Sequence, residues 1–411
     1  MARKPVRQKI AKRIIEAFCA DVDVRLNGNR PRDPEINDDR FFSRVLSEGS
    51  LGLGESYMLG WWDCDDLFAF FAHILTSDEL ERYSRTGWRT SLASLRATLF
   101  NTQTRRQSRQ MADVHYNLGN EFFEHMLGPS MAYSCAYWAD TEYLTEAQHA
   151  KFELICRKLH LKRGERLLDI GCGWGGLAKY AAENYGVEIV GVTVAEQQAT
   201  YARELCAGLP VSIHCADYRE FDHREFGKPF DKVVSVGMVE HVGSHNYRDL
   251  MDIVAKSMRD QGLFLLHTIG SDISITSGDP WLSRYIFPGG VLPSIRQLSE
   301  AAEGFLILQD VQNIGTHYTK TLLSWHERFD DYSGHGKDTG KLPLIWDSHD
   351  VFYRMWRYYL LLCAASFHVG HNQVYQIVFA KRHLPSGYDR AHRVRSESST
   401  NWQWPAKSSS R

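Results

Sequence analysis

The chain has 411 residues, of which 43% are hydrophobic and 24% charged, and its formal net charge is -2. This composition is typical of a globular protein with about two to three domains, and the near-neutral charge predicts no nucleic-acid partner. The eight cysteines form no CxxC pair, and their spacing indicates neither a disulfide framework nor a metal site. We find no apolar core of a signal peptide and no long apolar run, so a cytoplasmic location without a membrane span is expected.

Four regions are predicted along the chain. They are a small, mainly helical domain that engages lipid, a linker, an α/β domain and a disordered tail, at residues 1–100, 101–112, 113–385 and 386–411. The lipid role follows from two basic, amphipathic segments. Residues 3–13 carry six Lys and Arg, and residues 82–109 carry seven arginines without an acidic residue. Such segments suit an anionic membrane surface, but a solvated face whose apolar stripe packs on the domain core is an equally good interpretation.

Beyond about residue 150, helical and strand-like segments alternate, which is typical of a doubly wound, mostly parallel sheet. Helices are predicted near 145–160 and 350–367, and strands at 166–170, 187–193, 211–215, 231–236, 262–268 and 374–380, the last with room to join the sheet edge. Ligands bind outside the carboxyl ends of the strands in such a sheet. We therefore expect one crevice, covered by residues 271–300 and faced by Asp169, Thr193, Asp217, Gly237 and His267.

A glycine-rich turn follows the first of these strands, where residues 167–176 read LLDIGCGWGG. Glycines permit a tight turn and a close approach of backbone to a ligand. The pattern also matches a dinucleotide fingerprint, but the acid that should end the second strand is replaced by Thr193. Asp169 before the first glycine favours S-adenosylmethionine, which has no pyrophosphate. A tight turn that binds nothing is the alternative.

Six further strings are unusual, and their order along the chain makes them specific as a set. They are HYNLGN at 115–120, MAYSCAYW at 131–138, GMVEHVG at 237–243, HTIG at 267–270, YIFP at 285–288 and the stretch 48–58. With the glycine loop, they resemble the bacterial cyclopropane-fatty-acyl-phospholipid synthases over almost the whole chain. The resemblance implies a class I methyltransferase-like fold and an enzyme that transfers the methyl carbon of S-adenosylmethionine to the cis double bond of a phospholipid acyl chain, closing a cyclopropane ring. It also implies a homodimer bound peripherally to the phospholipid bilayer, at the inner face of the membrane.

Site residues follow from the same resemblance. Cofactor contacts map onto Tyr133, Ser134, Gly171, Gly173, Thr193, Gln198, Asp217 and Tyr218, beside Asp169 of the loop. Bicarbonate is implied as the base, held by the side chains of Glu240, His267 and Tyr318 and by the backbone of Cys135 and Ile269. Because neighbouring anions raise each other's pKa, Glu240 and bicarbonate are expected to share a proton. The ring of Tyr318 or Tyr116 is expected to stabilise a carbocation.

Each of these residues alone has a plainer interpretation. Glu240 suits the start of a helix, His267 and Tyr318 suit a packed core, and Cys135 suits a small buried hydrophobe. The family string also carries Asp where this chain has Asn117, so a role that requires a charge there is in doubt. Two other functions remain open: an acyl-chain methyltransferase that leaves a methyl or methylene branch, and a lipid-binding protein with a dead site.

Overall fold

The structure, a computed structural model, describes residues 3–77, 119–335, 342 and 348–389. The basic segment 82–109, the linker 101–112 and most of the tail lie outside the described residues. The same holds for Tyr116 and Asn117. The predictions for these parts of the chain therefore stay predictions.

The described amino-terminal part is mainly helical, as predicted. Its elements are α1 (Arg3–Asp21), β1 (Glu35–Ile36), α2 (Arg40–Glu48), α3 (Ser50–Met58), β2 (Trp62–Asp63) and α4 (Leu67–Leu75), with β1 and β2 paired antiparallel. The side chain of Asp66 accepts a hydrogen bond from the backbone nitrogen of Ala69 at 2.8 Å, which satisfies one of the unpaired amides at the start of α4.

The larger part of the molecule alternates helices and strands. The helices are α5 (Asn120–Leu127), α6 (Leu144–Lys158), α7 (Gly176–Tyr185), α8 (Glu196–Leu205), α9 (Tyr247–Ser257), α10 (Pro280–Tyr285), α11 (Ile295–Ala302), α12 (Thr316–Ser333) and α13 (His349–His368). The strands are β3 (Arg166–Ile170), β4 (Glu188–Thr193), β5 (Val211–Cys215), β6 (Phe230–Val236), β7 (Met258–Gly270), β8 (Ile307–Asn313) and β9 (Gln373–Ala380). They form one seven-stranded sheet in the order β5-β4-β3-β6-β7-β9-β8. The first five strands in this order are parallel, so the predicted doubly wound, mostly parallel sheet is confirmed.

The last strand does not take the place that the sequence suggested. We expected it at the sheet edge, but β9 lies between β7 and β8 and is antiparallel to both. The edge strand is β8, which was not predicted, because its sequence ILQDVQN lacks a regular alternation of apolar and polar residues. An edge strand exposes much of its surface and so requires little apolar sequence.

Apolar side chains cover both faces of the sheet. Leu168 and Ile170 of β3 pack in one cluster with α9 and α11, while Leu167 packs in another with α6 and α7. A third cluster joins the amino-terminal helices to α10, α12 and α13. In it, the rings of Phe71 in α4 and Tyr358 in α13 lie 5.0 Å apart, centroid to centroid. These contacts pack α4 against α13.

Within the described residues, no helix combines the length and the apolar character that crossing a bilayer requires.

Candidate functional site

The glycine loop bends sharply between β3 and α7. Gly171, Gly173 and Gly175 have φ angles of 87°, 55° and 84°, a region that favours glycine. A Cβ on Gly171 would lie 2.8 Å from the Cβ of Met238. The backbone nitrogen of Gly171 also donates to the carbonyl of Val192 at 2.8 Å, which ties the loop to β4. The loop therefore has a fixed shape that a larger residue at Gly171 would disturb.

Asp169, at the end of β3, is buried beneath this loop. Among the described residues, neither of its carboxylate oxygens has a hydrogen-bond partner. Burial raises the pKa of its carboxyl group from 3.8 to about 7. Because an unpaired buried acceptor is costly, Asp169 is a candidate to accept a hydrogen bond from a ligand.

A cavity of about 190 Å³ opens over the loop at the carboxyl ends of β3, β4, β5 and β6. All nine predicted cofactor residues line it: Tyr133, Ser134, Asp169, Gly171, Gly173, Thr193, Gln198, Asp217 and Tyr218. We call it the cofactor cavity. The hydroxyl of Thr193 donates to Oε1 of Gln198 at 2.9 Å, and Arg219 donates to both carboxylate oxygens of Asp217 at 2.8 and 2.6 Å. These bonds hold two predicted ligand-binding side chains in fixed orientations.

A second cavity, of about 350 Å³, lies next to the first. All five predicted catalytic residues line it: Cys135, Glu240, His267, Ile269 and Tyr318. We call it the acyl cavity after the acyl chain that the resemblance implies; the rest of its lining includes the apolar side chains of Leu75, Ile275, Leu282, Leu292 and Leu362. Both cavities share Tyr133, Ser134, Gly237, His241 and Phe287. The single crevice expected from the sequence is thus two cavities with a common wall, and His267 lines the second one.

Glu240 lies in a short 3-10 turn, Val239–His241, after β6. Its Oε1 accepts a hydrogen bond from the backbone nitrogen of Ile269 at 2.7 Å, while Oε2 has no partner within the described part of the chain. Burial raises the pKa of the carboxyl group from 4.5 to about 7. The amide of Ile269, whose backbone the resemblance places against bicarbonate, donates here to Glu240, since a buried amide needs an acceptor and this carboxylate lies within reach.

His267 is held by β9. Nε2 of Gln376 donates to Nδ1 of His267 at 3.2 Å, which leaves the imidazole proton on Nε2 in this arrangement. Both side chains are buried. Burial, with a smaller contribution from Lys151 and Lys158, holds the pKa of His267 well below its usual range. The imidazole is therefore neutral and offers Nε2–H as a donor.

Tyr318 and Cys135 complete the set. The Tyr318 ring lies 4.6 Å from that of Phe367, and burial raises the pKa of its phenol well above the usual range, so the hydroxyl keeps its proton. Burial likewise raises the pKa of the Cys135 thiol. The backbone nitrogen of Ala136, next to Cys135, donates to the hydroxyl of Thr321 at 3.2 Å, which fixes this segment against α12. A neutral, buried thiol is a poor nucleophile, which leaves the backbone of Cys135 as the part predicted to contact bicarbonate.

Some residues of the site were missed by the sequence reasoning. His241 and Phe287 line both cavities, although both lie inside strings already singled out as unusual. Burial lowers the pKa of His241 from 6.5 to about 4, and its Nδ1 has no partner in the described chain. Gln148 and Lys151 were also missed, yet two polar residues three positions apart on an otherwise apolar helix face were a usable signal.

Comparison with known proteins gives consistent results. The family model described as mycolic acid cyclopropane synthetase matches residues 103–377. The chain is 44% identical over 370 residues to the cyclopropane-fatty-acyl-phospholipid synthase of Escherichia coli (strain K12), covering 90% of this chain and 93% of that one. The crystal structure of the mycolic acid cyclopropane synthase CmaA1 complexed with SAH and CTAB is similar, with 32% identity, a TM-score of 0.58, and coverage of 66% of this chain and 98% of that one. Coclaurine N-methyltransferase bound to N-methylheliamine and SAH, at 20% identity and a TM-score of 0.65 over 80% of this chain and 99% of that one, shares the class I methyltransferase fold.

Proposed function

The chain belongs to the mycolic acid cyclopropane synthetase family, and from that premise we propose that it transfers the methyl carbon of S-adenosylmethionine to the cis double bond of a phospholipid acyl chain, forming a cyclopropane ring. The observation that carries this proposal is the common wall of the two cavities. Tyr133, Ser134, Gly237, His241 and Phe287 contribute to both linings, so a group bound in one cavity can react with a chain bound in the other.

The cofactor cavity suits S-adenosylmethionine. When bound, this cofactor supplies an electrophilic methyl group on a sulfonium sulfur. The unpartnered carboxylate of Asp169 accepts from the ligand's ammonium group, and Gln198, held by Thr193, reaches the ribose hydroxyls. Tyr218 stacks on the adenine ring, and Asp217 accepts from its amine, since a carboxylate held by one arginine retains acceptor capacity.

The acyl cavity positions the double bond beside the shared wall. Its apolar lining excludes water, which brings the weakly nucleophilic alkene and the sulfonium methyl together in a dry site. The π electrons of the alkene form the new carbon–carbon bond, the sulfur–carbon bond breaks, and its electron pair remains on sulfur. The ring of Tyr318 stabilises the carbocation that this step leaves on the acyl chain.

Ring closure requires a base, and we assign this role to bicarbonate. When bound, bicarbonate supplies an oxygen that accepts a proton from the transferred methyl group, and the released C–H electron pair closes the ring. The Nε2–H of His267 and the hydroxyl of Tyr318 are protonated donors for such an anion. Glu240, whose pKa lies near 7, shares a proton with it, and Ile269 acts by holding Glu240 in position.

Two experiments test the reaction and its base. With S-adenosylmethionine that carries a trideuteromethyl group, ring closure predicts that the lipid product keeps two deuterons and loses the third to solvent. A product that keeps all three would indicate a methyl branch instead, and a product with its two deuterons on an exocyclic double bond would indicate a methylene branch. In buffer freed of carbon dioxide, turnover should fall and recover when bicarbonate is added. Turnover that does not change with the bicarbonate concentration would contradict the assignment of the base.

We also propose that the enzyme binds peripherally to the cytoplasmic face of the membrane. In α1, Ala11 and Ile15 are buried in the protein core, while Ile10 and Ile14 are 52% and 38% exposed. These exposed apolar side chains, next to Lys9 and Arg13 in the sequence, suit the headgroup region of an anionic bilayer.

This proposal also includes the domain boundaries at residues 100 and 113, the disordered tail and the homodimer. Sedimentation of the purified chain would test the dimer directly.

A further inference from the structure

Helix α6 supports the segment 132–134, in which Tyr133 and Ser134 line both cavities. Gln148 and Lys151 lie three positions apart on one face of this helix, and both are fully buried. Nε2 of Gln148 donates to the carbonyls of Ala132 and Ser134 at 3.2 and 3.0 Å. The ammonium of Lys151 donates to Oγ of Ser134 at 2.8 Å. The side chain and backbone of Ser134 are therefore both fixed by α6.

The ammonium of Lys151 forms no ion pair with any residue that the structure describes, although it lines the cofactor cavity. Burial lowers its pKa from 10.5 to about 7. A buried cation without a carboxylate is costly to the fold. The same cavity contains Asp169, a buried carboxylate that also lacks a partner there. A cavity with unpaired groups of both signs matches a ligand that carries both an ammonium and a carboxylate.

The hydrogen bond from Lys151 also defines what Ser134 can do. Its Oγ accepts from Lys151, so its own O–H is available to donate to a ligand in the cofactor cavity, one of the two cavities that it lines. A neighbouring positive charge strengthens a hydroxyl donor, above all toward an anionic acceptor.

We propose that Lys151 is a positioning residue. It holds the hydroxyl of Ser134 so that this hydroxyl donates to the carboxylate of an amino-acid group on the ligand in the cofactor cavity. This inference rests on the proposed cofactor. It adds that residues held by α6 recognise the carboxylate of that cofactor. Lys151 touches Ser134, and Ser134 touches the ligand.

Titration calorimetry with two ligands tests this inference without any turnover. S-adenosylhomocysteine has the carboxylate, and S-adenosyl-3-thiopropylamine is the same molecule without it. The variant K151M should bind S-adenosylhomocysteine at least about tenfold more weakly, because a charge-assisted hydrogen bond is lost. Its affinity for the decarboxylated ligand should stay within about twofold of the parent value, since that ligand never made the contact.

Lys158 provides a matched control. It lies on the same helix, is fully buried, and has a pKa lowered by burial to about 7, but it lines neither cavity. K158M removes an equal buried charge and should leave both affinities unchanged. Equal weakening of both ligands in K151M, or an equal loss for S-adenosylhomocysteine in K158M, would overturn the inference.

A second variant covers the case in which K151M does not fold. S134A keeps the lysine and should show the same selective loss of the carboxylate-bearing ligand, and the double variant should lose little more than either single one. If S134A binds both ligands as the parent does, the inference fails. Failure of the proposed cofactor is distinguishable, because then neither ligand binds the parent protein, and failure of ring closure alone shows in the lipid product and leaves both affinities as they are.

Discussion

The carboxylate of Glu240 accepts a hydrogen bond at 2.7 Å from the backbone nitrogen of Ile269, the residue two positions beyond His267 on β7. This bond joins the turn after β6 to the end of the neighbouring strand. It holds one oxygen of Glu240 and leaves the other without a partner in the described structure. Two predicted catalytic residues are thereby fixed relative to each other, and Glu240 keeps one oxygen for a ligand.

Replacing Glu240 by glutamine should affect chemistry more than binding. E240Q keeps an acceptor for the Ile269 amide but has no carboxyl proton to share with the base. We expect turnover to fall at least about tenfold, or about 1.4 kcal/mol of barrier, with the affinity for S-adenosylhomocysteine unchanged. Steady-state rates and calorimetry on the same preparation measure both. Unchanged turnover would remove Glu240 from the mechanism.

The buried carboxyl of Asp169 should make stability depend on pH in the ligand-free protein. Because its pKa is raised from 3.8 to about 7, its contribution to folding is fully present below about pH 4 and is lost as the pH rises through 7. Asparagine does not titrate. Between pH 4 and 8, the free energy of unfolding of D169N should therefore increase relative to that of the wild type, by about 4 kcal/mol at most.

Urea unfolding at a series of pH values measures this difference. D260N is a suitable control, since the side chain of Asp260 is 72% exposed. It shows how far the same aspartate-to-asparagine change alters the measured free energy of unfolding at an exposed position. A constant difference between D169N and wild type across this range would contradict the unpaired, buried state of Asp169.

The exposed isoleucines of α1 should contribute to membrane binding. The double variant I10S/I14S loses apolar surface without loss of charge, so we expect binding to anionic vesicles to weaken about tenfold in a co-sedimentation assay. Leu308 on the edge strand β8 is 46% exposed and provides the control variant L308S. Equal binding by I10S/I14S and the parent would show that α1 does not enter the bilayer surface.

Gly54 allows α3 to approach α10 closely. A Cβ at this position would lie 2.3 Å from Cδ1 of Trp281, a buried side chain. G54A should therefore lower the free energy of unfolding by about 1–3 kcal/mol, seen as a lower melting temperature. Combining G54A with W281L should cost less than the sum of the two single changes, because the smaller side chain relieves the clash. If the two changes in the free energy of unfolding are strictly additive, the alanine at position 54 does not clash with Trp281.

Strong local patterns made much of the fold predictable. The strand β3 and the glycine turn after it combine an apolar run with glycines that need positive φ angles, and both were placed correctly. Strand β8 was missed because an edge strand exposes its side chains and carries little pattern. The inserted position of β9 could not be predicted, since its sequence specifies burial on both sides but not which strands flank it.

The residues of the site, like the elements of the fold, could be predicted only in part. Residues such as Glu240 and His267 were found because they stand inside unusual strings whose order matches a family. The bond between Glu240 and Ile269 was not foreseen, because 29 positions separate them and only the fold brings them together. Lys151 was missed although its spacing from Gln148 on an otherwise apolar helix face was a usable signal, because a lysine on a helix is usually exposed and its burial depends on the whole packed structure.

The most direct test of the central claim is the structure of the lipid product. Purified protein is incubated with S-adenosylmethionine and vesicles of a monounsaturated phospholipid, and the lipid is then analysed by mass spectrometry and proton NMR. We predict the gain of one CH₂ unit, the appearance of cyclopropane ring protons and the loss of the olefinic signals. A gained CH₂ unit without ring protons, or an unchanged lipid from a protein that binds S-adenosylhomocysteine, would contradict the account.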